Sequence, residues 1–508
     1  EDGAYQLIGI TDTSMLRPQV FALQEGEVSI GLIASEKQAI DATLASLAEE
    51  DPRFLPVADR YWNARGGSHT DGGAFVFSVQ EYGDQTFLRC TNKFGEPVTS
   101  GVAQSAGGPP ATETVDLDSL TEDLSERIRA GDAIGGFEAA AQAIPAMEWD
   151  DLRELLQDLR TRAVAAGAKG LRALLEITTL LLDRNYPLGG RRRAQLRAIL
   201  QEELFGFLRS LRGSAGGFAF LGWEDRSRLR APSSADEILV VDARGFPPEG
   251  DEGLDQFVVR AYHMGWKRVV GFDLTGQRFL GCGLGANSQG FRLDLYGSPG
   301  DYLASGLDGA EVHVHANGQD QMAQIMKAGK LVVHGDLGQT FMYAAKGGEV
   351  YVKGNVAGRP LINAVGKPRV VINGTALDYL AESFMAGDPH KGGGFVVLNG
   401  IRVRDDGTIE DLGTPYPGGN LFSLASGGAI FMRDPRHLVG ADQLNGGQFD
   451  SLSDEDWDLI RPYLEENERL FGIKVKELLT VDGARRPPHT VYRKVKAVAL
   501  KVLAHTGL

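Results

Sequence analysis

Between residues 291 and 400 the chain repeats one short frame: apolar, any, apolar, any, Gly. It fits residues 293–297, 331–335, 350–354, 370–374 and 396–400, and 312–316 is the same frame with Ala316 closing it. The closing positions 297, 316, 335, 354 and 374 are 19, 19, 19 and 20 residues apart, and the step to 400 is 26. That longer step predicts an insertion around residues 388–393. A fixed period of this length with one strand per unit is the pattern of a solenoid. Residues i and i+2 of a strand share a face, so Leu293, Val312, Leu331, Val350, Val370 and Val396 form one inward column. Leu295, Val314, Val333, Val352, Ile372 and Leu398 form the next. A further apolar position recurs at Leu303, Met322, Phe341 and Leu380, with Pro360 in the fourth unit. Glycines 309, 329, 348, 366 and 394 precede strands, where tight corners favour them. The simplest object with these properties is a parallel β-helix, its coils about 4.8 Å apart. A βα array would leave too few residues per unit for a crossover helix.

Specific motifs repeat in the same register. Gly335-Asp336-Leu337-Gly338-Gln339-Thr340, Gly354-Asn355-Val356-Ala357-Gly358-Arg359 and residues 380–387 resemble the GXGXG β-helix domain of glutamate synthase large subunits. That domain is also similar to the C subunit of formylmethanofuran dehydrogenase. Residues 268–272, followed by Gly281-Cys282-Gly283-Leu284-Gly285, resemble its opening, and the likeness spans about residues 236–435. It implies an α+β multidomain chain built on a right-handed parallel β-helix, with a partial amidotransferase-like block and a helical connector.

The 508 residues suffice for two to four domains. Hydrophobic content of 43% and charged content of 24% are ordinary for a globular protein. A net charge of −16 argues against nucleic acid or an anionic membrane as partner. No apolar run approaches the roughly 18 residues of a membrane-spanning helix, and no signal peptide is expected at the start of the chain. Cys90 and Cys282 alone cannot ligate an iron–sulfur cluster or form a disulfide framework. The cytoplasm is the expected compartment.

The expected divisions are an amidotransferase-like block (1–112), a helical connector (113–232), the β-helix (233–435) and a helical tail (436–508). In the first block, the Leu16-Arg17-Pro18 segment, Ala34-Ser35-Glu36 and the glycine turn of 61–69 leading to a strand at 75–78 resemble the later part of a class II glutamine amidotransferase. Such enzymes attack glutamine with an N-terminal cysteine whose α-amine is the base. Position 1 is glutamate, and Cys90 cannot present an α-amine, so the block as written is expected not to hydrolyse glutamine. The connector reads as helices, one opened by Trp149-Asp150 and one mostly apolar between 171 and 182. Arg191-Arg192-Arg193 reads as a helix start or a salt-bridged interface rather than a phosphate site. A strand at 238–242, a helix within 253–265 and a strand from Arg268 resemble a cap on the first coil. In the tail, Ser453 caps an amphipathic helix reaching Leu470, and a basic end at Arg485-Arg486 and 494–501 suggests docking to an acidic surface.

Two features carry candidate chemistry. Tyr296, His315, His334, Lys353, Asn373 and Asn399 project outward between the core positions, with His313 one pleat away. Three histidines could hold zinc or iron, but nothing in the ladder completes the set and Lys353 would repel a cation. The column is therefore expected to be an exposed ladder, and replacement of Lys353 by aspartate to be harmless. The glycine run 281–285 is expected to be a corner, since no helix follows to cradle a phosphate. No catalytic, cofactor-binding or metal residue is assigned. The resemblance implies a scaffold subunit without cofactor of its own, joining the amidotransferase-like block to a partner that carries FMN and an iron–sulfur cluster. An electron-transfer subunit is a further candidate partner. Two alternatives stay open: a glutamine amidotransferase, should a segment starting with cysteine precede Glu1, and a scaffold in another redox or one-carbon complex.

Overall fold

β-Branched and aliphatic residues at alternate positions, repeated every nineteenth or twentieth residue, build a stack of parallel strands. The computed structural model describes the backbone of residues 4–10, 19–24, 27–33, 75–82 and 85–92, and residues 115–213 and 216–498 with side chains. The chain divides into two compact units, Glu1–Ala106 and Gly107–Leu508. In the first, Glu27–Ile33 pairs with Ala4–Ile10 (parallel) and Gln19–Gln24 (antiparallel), and Phe75–Tyr82 forms a hairpin with Gln85–Asn92. The segments at 16–18, 34–36 and 61–69 lie outside the described residues.

The second unit is mixed α/β. Five helices come first: α1 (Leu117–Ala130), α2 (Ala133–Ala143), α3 (Trp149–Ala165), α4 (Gly167–Asp183) and α5 (Arg193–Ser210). A sheet of twelve strands follows. Its members are β1 (Phe218–Leu221), β2 (Ile238–Asp242), β3 (Arg268–Thr275), β4 (Arg292–Ser298), β5 (Asp308–Val314), β6 (Ala328–Val333), β7 (Glu349–Val352), β8 (Arg369–Ile372), β9 (Phe395–Leu398), β10 (Ala429–Arg433), β11 (Gly447–Ser451) and β12 (Tyr492–Ala497). Strands β1 to β10 lie side by side in chain order and parallel, and β12 inserts antiparallel between β10 and β11. Helix α6 (Leu254–His263) joins β2 to β3, and α7 (Asp454–Phe471) starts on a capping box between Ser453 and Asp456. Among the described residues no helix is long and apolar enough to cross a membrane.

The register matches the alternation. Val333, Val352 and Ile372 are neighbours across β6, β7 and β8, as are Leu331, Val350 and Val370. All six are fully buried in one continuous interior with Leu303, Met322, Phe341 and Leu380. The long step of 26 residues is taken up by a short turn at Pro389–Lys391, where the Asp388 carboxylate accepts from the His390 amide. Glycines 281, 283 and 285 all take left-handed φ (81°, 72° and 79°), a corner as expected.

The glycines that close the frame are explained by close approach rather than by φ. Asn317 Oδ1 accepts from the Asp336 amide, Asp336 Oδ1 from the Asn355 amide (2.7 Å), and Asn355 Oδ1 from the Thr375 amide, so each repeat hooks onto the next. A Cβ on Gly335, Gly354 or Gly374 would sit 2.1–2.3 Å from the hooking oxygen. Between successive strands the backbone alternates into the left-handed region at non-glycine residues. Thr340, Met342 and Ala344 do so, as do Arg359, Leu361 and Asn363 one repeat on. Such residues resist this conformation. It persists because Thr340 N–H donates to the following repeat (Gly358 O, 3.0 Å) and Met342 N–H to the preceding one (Met322 O, 2.8 Å).

Outside the stack, helices α4 and α5 cover the outer face of the early strands, packing on Val240, Val270, Phe272 and Tyr296. Helix α7 covers the later ones, over Val332, Tyr351, Val371 and Val397. The tail is therefore not helical alone: β11 and β12 extend the sheet. Of its basic residues, Lys494 and Lys496 are engaged within the chain, Lys494 Nζ lying 2.7 Å from Asp456 Oδ1 and Lys496 pairing with Asp450, whereas Arg485 and Arg486 are exposed.

Val352→Asp places an unpartnered charge in the filled interior, which costs several kcal/mol, and should unfold or aggregate the protein. Gly354→Ala forces Cβ against Asp336 Oδ1 and should cost about 1–3 kcal/mol. Thermal melts read both.

Candidate functional site

The outward column is buried, contrary to the exposed ladder expected. His315, His334 and Asn373 are 3%, 7% and 0% exposed. The reason is the seam between the two helical covers. Along the outer face Val270 and Val332 are apolar, whereas Asp294 and His313 on the strands between them are polar. There the end of α4 brings in Thr179 and Asp183, and the end of α7 brings in Asn467 and Phe471.

The seam is built ring on ring. Tyr296 stacks on His315 (centroids 4.2 Å apart), His315 on His334 (5.0 Å), and Phe471 meets His334 edge-on at 5.2 Å. Thr179 Oγ1 and Tyr296 Oη share a hydrogen bond of 2.6 Å. His315 lies between two carboxylates, with Nδ1 2.7 Å from Asp183 Oδ2 and Nε2 3.4 Å from Asp294 Oδ1. Asp294, fully buried, is also held by Arg268 (2.8 Å) and Arg292 (2.7 Å). His313 Nε2 is 2.6 Å from Glu311 Oε1. His334 differs: Nδ1 is 3.4 Å from Asp183 Oδ2, yet neither ring nitrogen makes a hydrogen bond, nor does Asp183 Oδ1.

These placements set the charges. Burial opposes the His315 cation, but Asp183 and then Asp294 outweigh it and raise its pKa to about 9. Burial would raise the Asp183 carboxyl, but the His315 cation beside it holds it well below the usual range. Burial pushes His334 far down and His313 down, so both are neutral at pH 7. Lys353 is likewise not a free surface charge. Its Nζ donates to the main-chain carbonyl of Asp183 (2.5 Å) and to Asn185 Oδ1 (2.7 Å). Burial first, then the Arg197 charge, lowers its pKa to about 7. Beyond it Asn373 exchanges hydrogen bonds with Asn467 of α7, and Asn399 binds Asn373 and Tyr492.

Two triads of the described residues bring potential metal-ligating atoms within 4.8 Å of one another: Asp183–His315–His334 and Asp294–His313–His315. The sequence reading found the histidines but not Asp183, more than 130 positions away on a helix whose contact with the stack no local pattern announces. Asp294 was legible as a charge at an outward position of the repeat. A cleft of about 740 Å³, lined among others by Phe137, Arg184, Asn185, Tyr186, Phe471 and Lys474, lies beside the cluster, since Asn185 binds Lys353 and Phe471 packs on His334. The arginine run is absorbed structurally: Arg191 pairs with Glu148, and Arg193 donates to the carbonyls of Tyr186 and Asp405. Cys282, its thiol pushed up to about 12 by burial, is no nucleophile.

Residues 261–482 match the family model described as the GXGXG motif, a span from within α6 to just beyond α7. No curated protein matches the chain.

Lys353→Asp, harmless on an exposed ladder, should instead cost about 3 kcal/mol or more, because a carboxylate would face the carbonyl end of α4 beside Asp183. Lys353→Met should cost less, and urea titrations separate the two. His315 has a folded pKa above its unfolded value. The stability it supplies is complete below about pH 6.5 and is lost as pH rises through about 9. Lys353, whose lowered pKa makes stability rise with pH over the same range, opposes this, so the difference between variants is the test: in metal-free buffer His315→Gln should melt furthest below the parent near pH 7, and the two should converge above about pH 9.

Proposed function

We propose that the chain is the scaffold subunit of a glutamate-synthase-like assembly, a right-handed parallel β-helix that holds an amidotransferase-like block against a separate synthase subunit in the cytoplasm. The observation carrying this reading is the match of residues 261–482 to the GXGXG motif model, over the span where β4 to β10 stack in register around a filled apolar interior. A solid interior transmits position; it does not bind substrate. In this reading FMN and an iron–sulfur cluster belong to the partner, and this chain supplies surface and rigidity.

Purification of the chain from its native source under mild conditions tests the proposal. A co-eluting partner with stoichiometric flavin and iron is expected. A molybdenum- or tungsten-containing partner would move the scaffold to another redox complex. A chain eluting alone, with glutaminase activity of its own, would overturn the scaffold reading.

A further inference from the structure

The polar seam holds two buried side chains whose bonding capacity is partly unused. His334 is 7% exposed and Asp183 5% exposed, yet both ring nitrogens of His334 and Oδ1 of Asp183 lack a hydrogen-bond partner. A buried polar group without a partner is costly, and here two such residues face each other across 3.4 Å, with His315 Nδ1 2.7 Å from the same carboxylate. We propose that Asp183, His315 and His334 bind a divalent first-row transition ion of the zinc class, which clamps the end of α4 to two successive coils of the stack.

The donor set fits. Two imidazole nitrogens and a carboxylate oxygen suit zinc and its neighbours, and Asp183 Oδ1 or a water completes four-coordination. With Nδ1 of His315 on the ion, its Nε2–H points to Asp294 Oδ1 at 3.4 Å. This is the carboxylate support that orients metal-bound histidines, and Asp294 is itself fixed by Arg268 and Arg292. On binding, the ion displaces to solvent the proton that His315 shares with Asp183, and His334 enters neutral. The surrounding cations have partners of their own: the two arginines on Asp294, and Lys353 on the carbonyl of Asp183 and on Asn185. A clamp of this kind joins residues 183, 315 and 334, which no continuous backbone element connects.

The test uses the full chain, stripped with chelator and titrated with Co²⁺ alone and then with Zn²⁺. One Co²⁺ per chain is expected, with visible bands of nitrogen and oxygen coordination that Zn²⁺ bleaches, and a raised melting temperature. His334→Phe removes a ligand but no hydrogen bond, and its ring can keep the stack between His315 and Phe471. It should fold, while weakening Co²⁺ binding at least about a hundredfold and abolishing the thermal shift. His437→Gln, distant on the surface, should bind as the parent does. Absence of stoichiometric Co²⁺ binding by the parent, or undiminished binding by a folded His334→Phe, would overturn the proposal. Neither result bears on the scaffold reading, which rests on the partner.

Discussion

Register is the constraint on which the rest depends. Each repeat contributes a strand whose alternate side chains fill the interior, and the next follows 19 or 20 residues later, or 26 at the last step. Leu295, Val314, Val333, Val352, Ile372 and Leu398 therefore superpose. A slip of one residue would turn His315, His334 and Lys353 inward and expel the aliphatic column. The Asn317–Asp336–Asn355 hooks hold the same register from the corner, and they dictate glycine at the closing position by occupying the space of its Cβ. The apolar interior and the polar hooks thus agree, which is how a sequence specifies one structure among competing ones.

The same alternation that fills the interior exports a second set of residues, and the helical layers decide what those residues become. Where α4 and α5 or α7 lie on the outer face, exported positions are Val270, Val332 and Val371. At the seam between them they are Asp294, His313, His315 and His334. Polar groups are tolerated there because the helix ends bring matching ones, Asp183 on one side and Asn467 on the other. The seam is a joint with a preferred chemistry rather than a gap in the packing.

Much of the stack was legible because its information is local and repeated: the inward columns, the corner at 281–285 and the insertion at 388–393 all follow from period and alternation. The helical cover was legible only as helices. Nothing in the spacing of α4 states that Asp183 meets His315, or that α7 roofs Val332 and Tyr351, so the strand pattern alone does not distinguish outward-facing from exposed. The left-handed residues between the strands, such as Met342 and Leu361, carry ordinary apolar identities and give no local sign of their conformation. The two tail strands that join the large sheet have no local signature, because β12 pairs antiparallel with β10, a contact more than 50 residues long in sequence.

The helical layer and the stack form one cooperative unit joined at the Asp183 seam, and native-state hydrogen exchange followed by mass spectrometry can show it. Amides at the C-terminal end of α4 should exchange as slowly as those of β5, β6 and β7, and all should be released together at the same denaturant concentration. If α4 exchanged freely while the strands stayed protected, the seam would be a passive contact and the account of the outward column would fail.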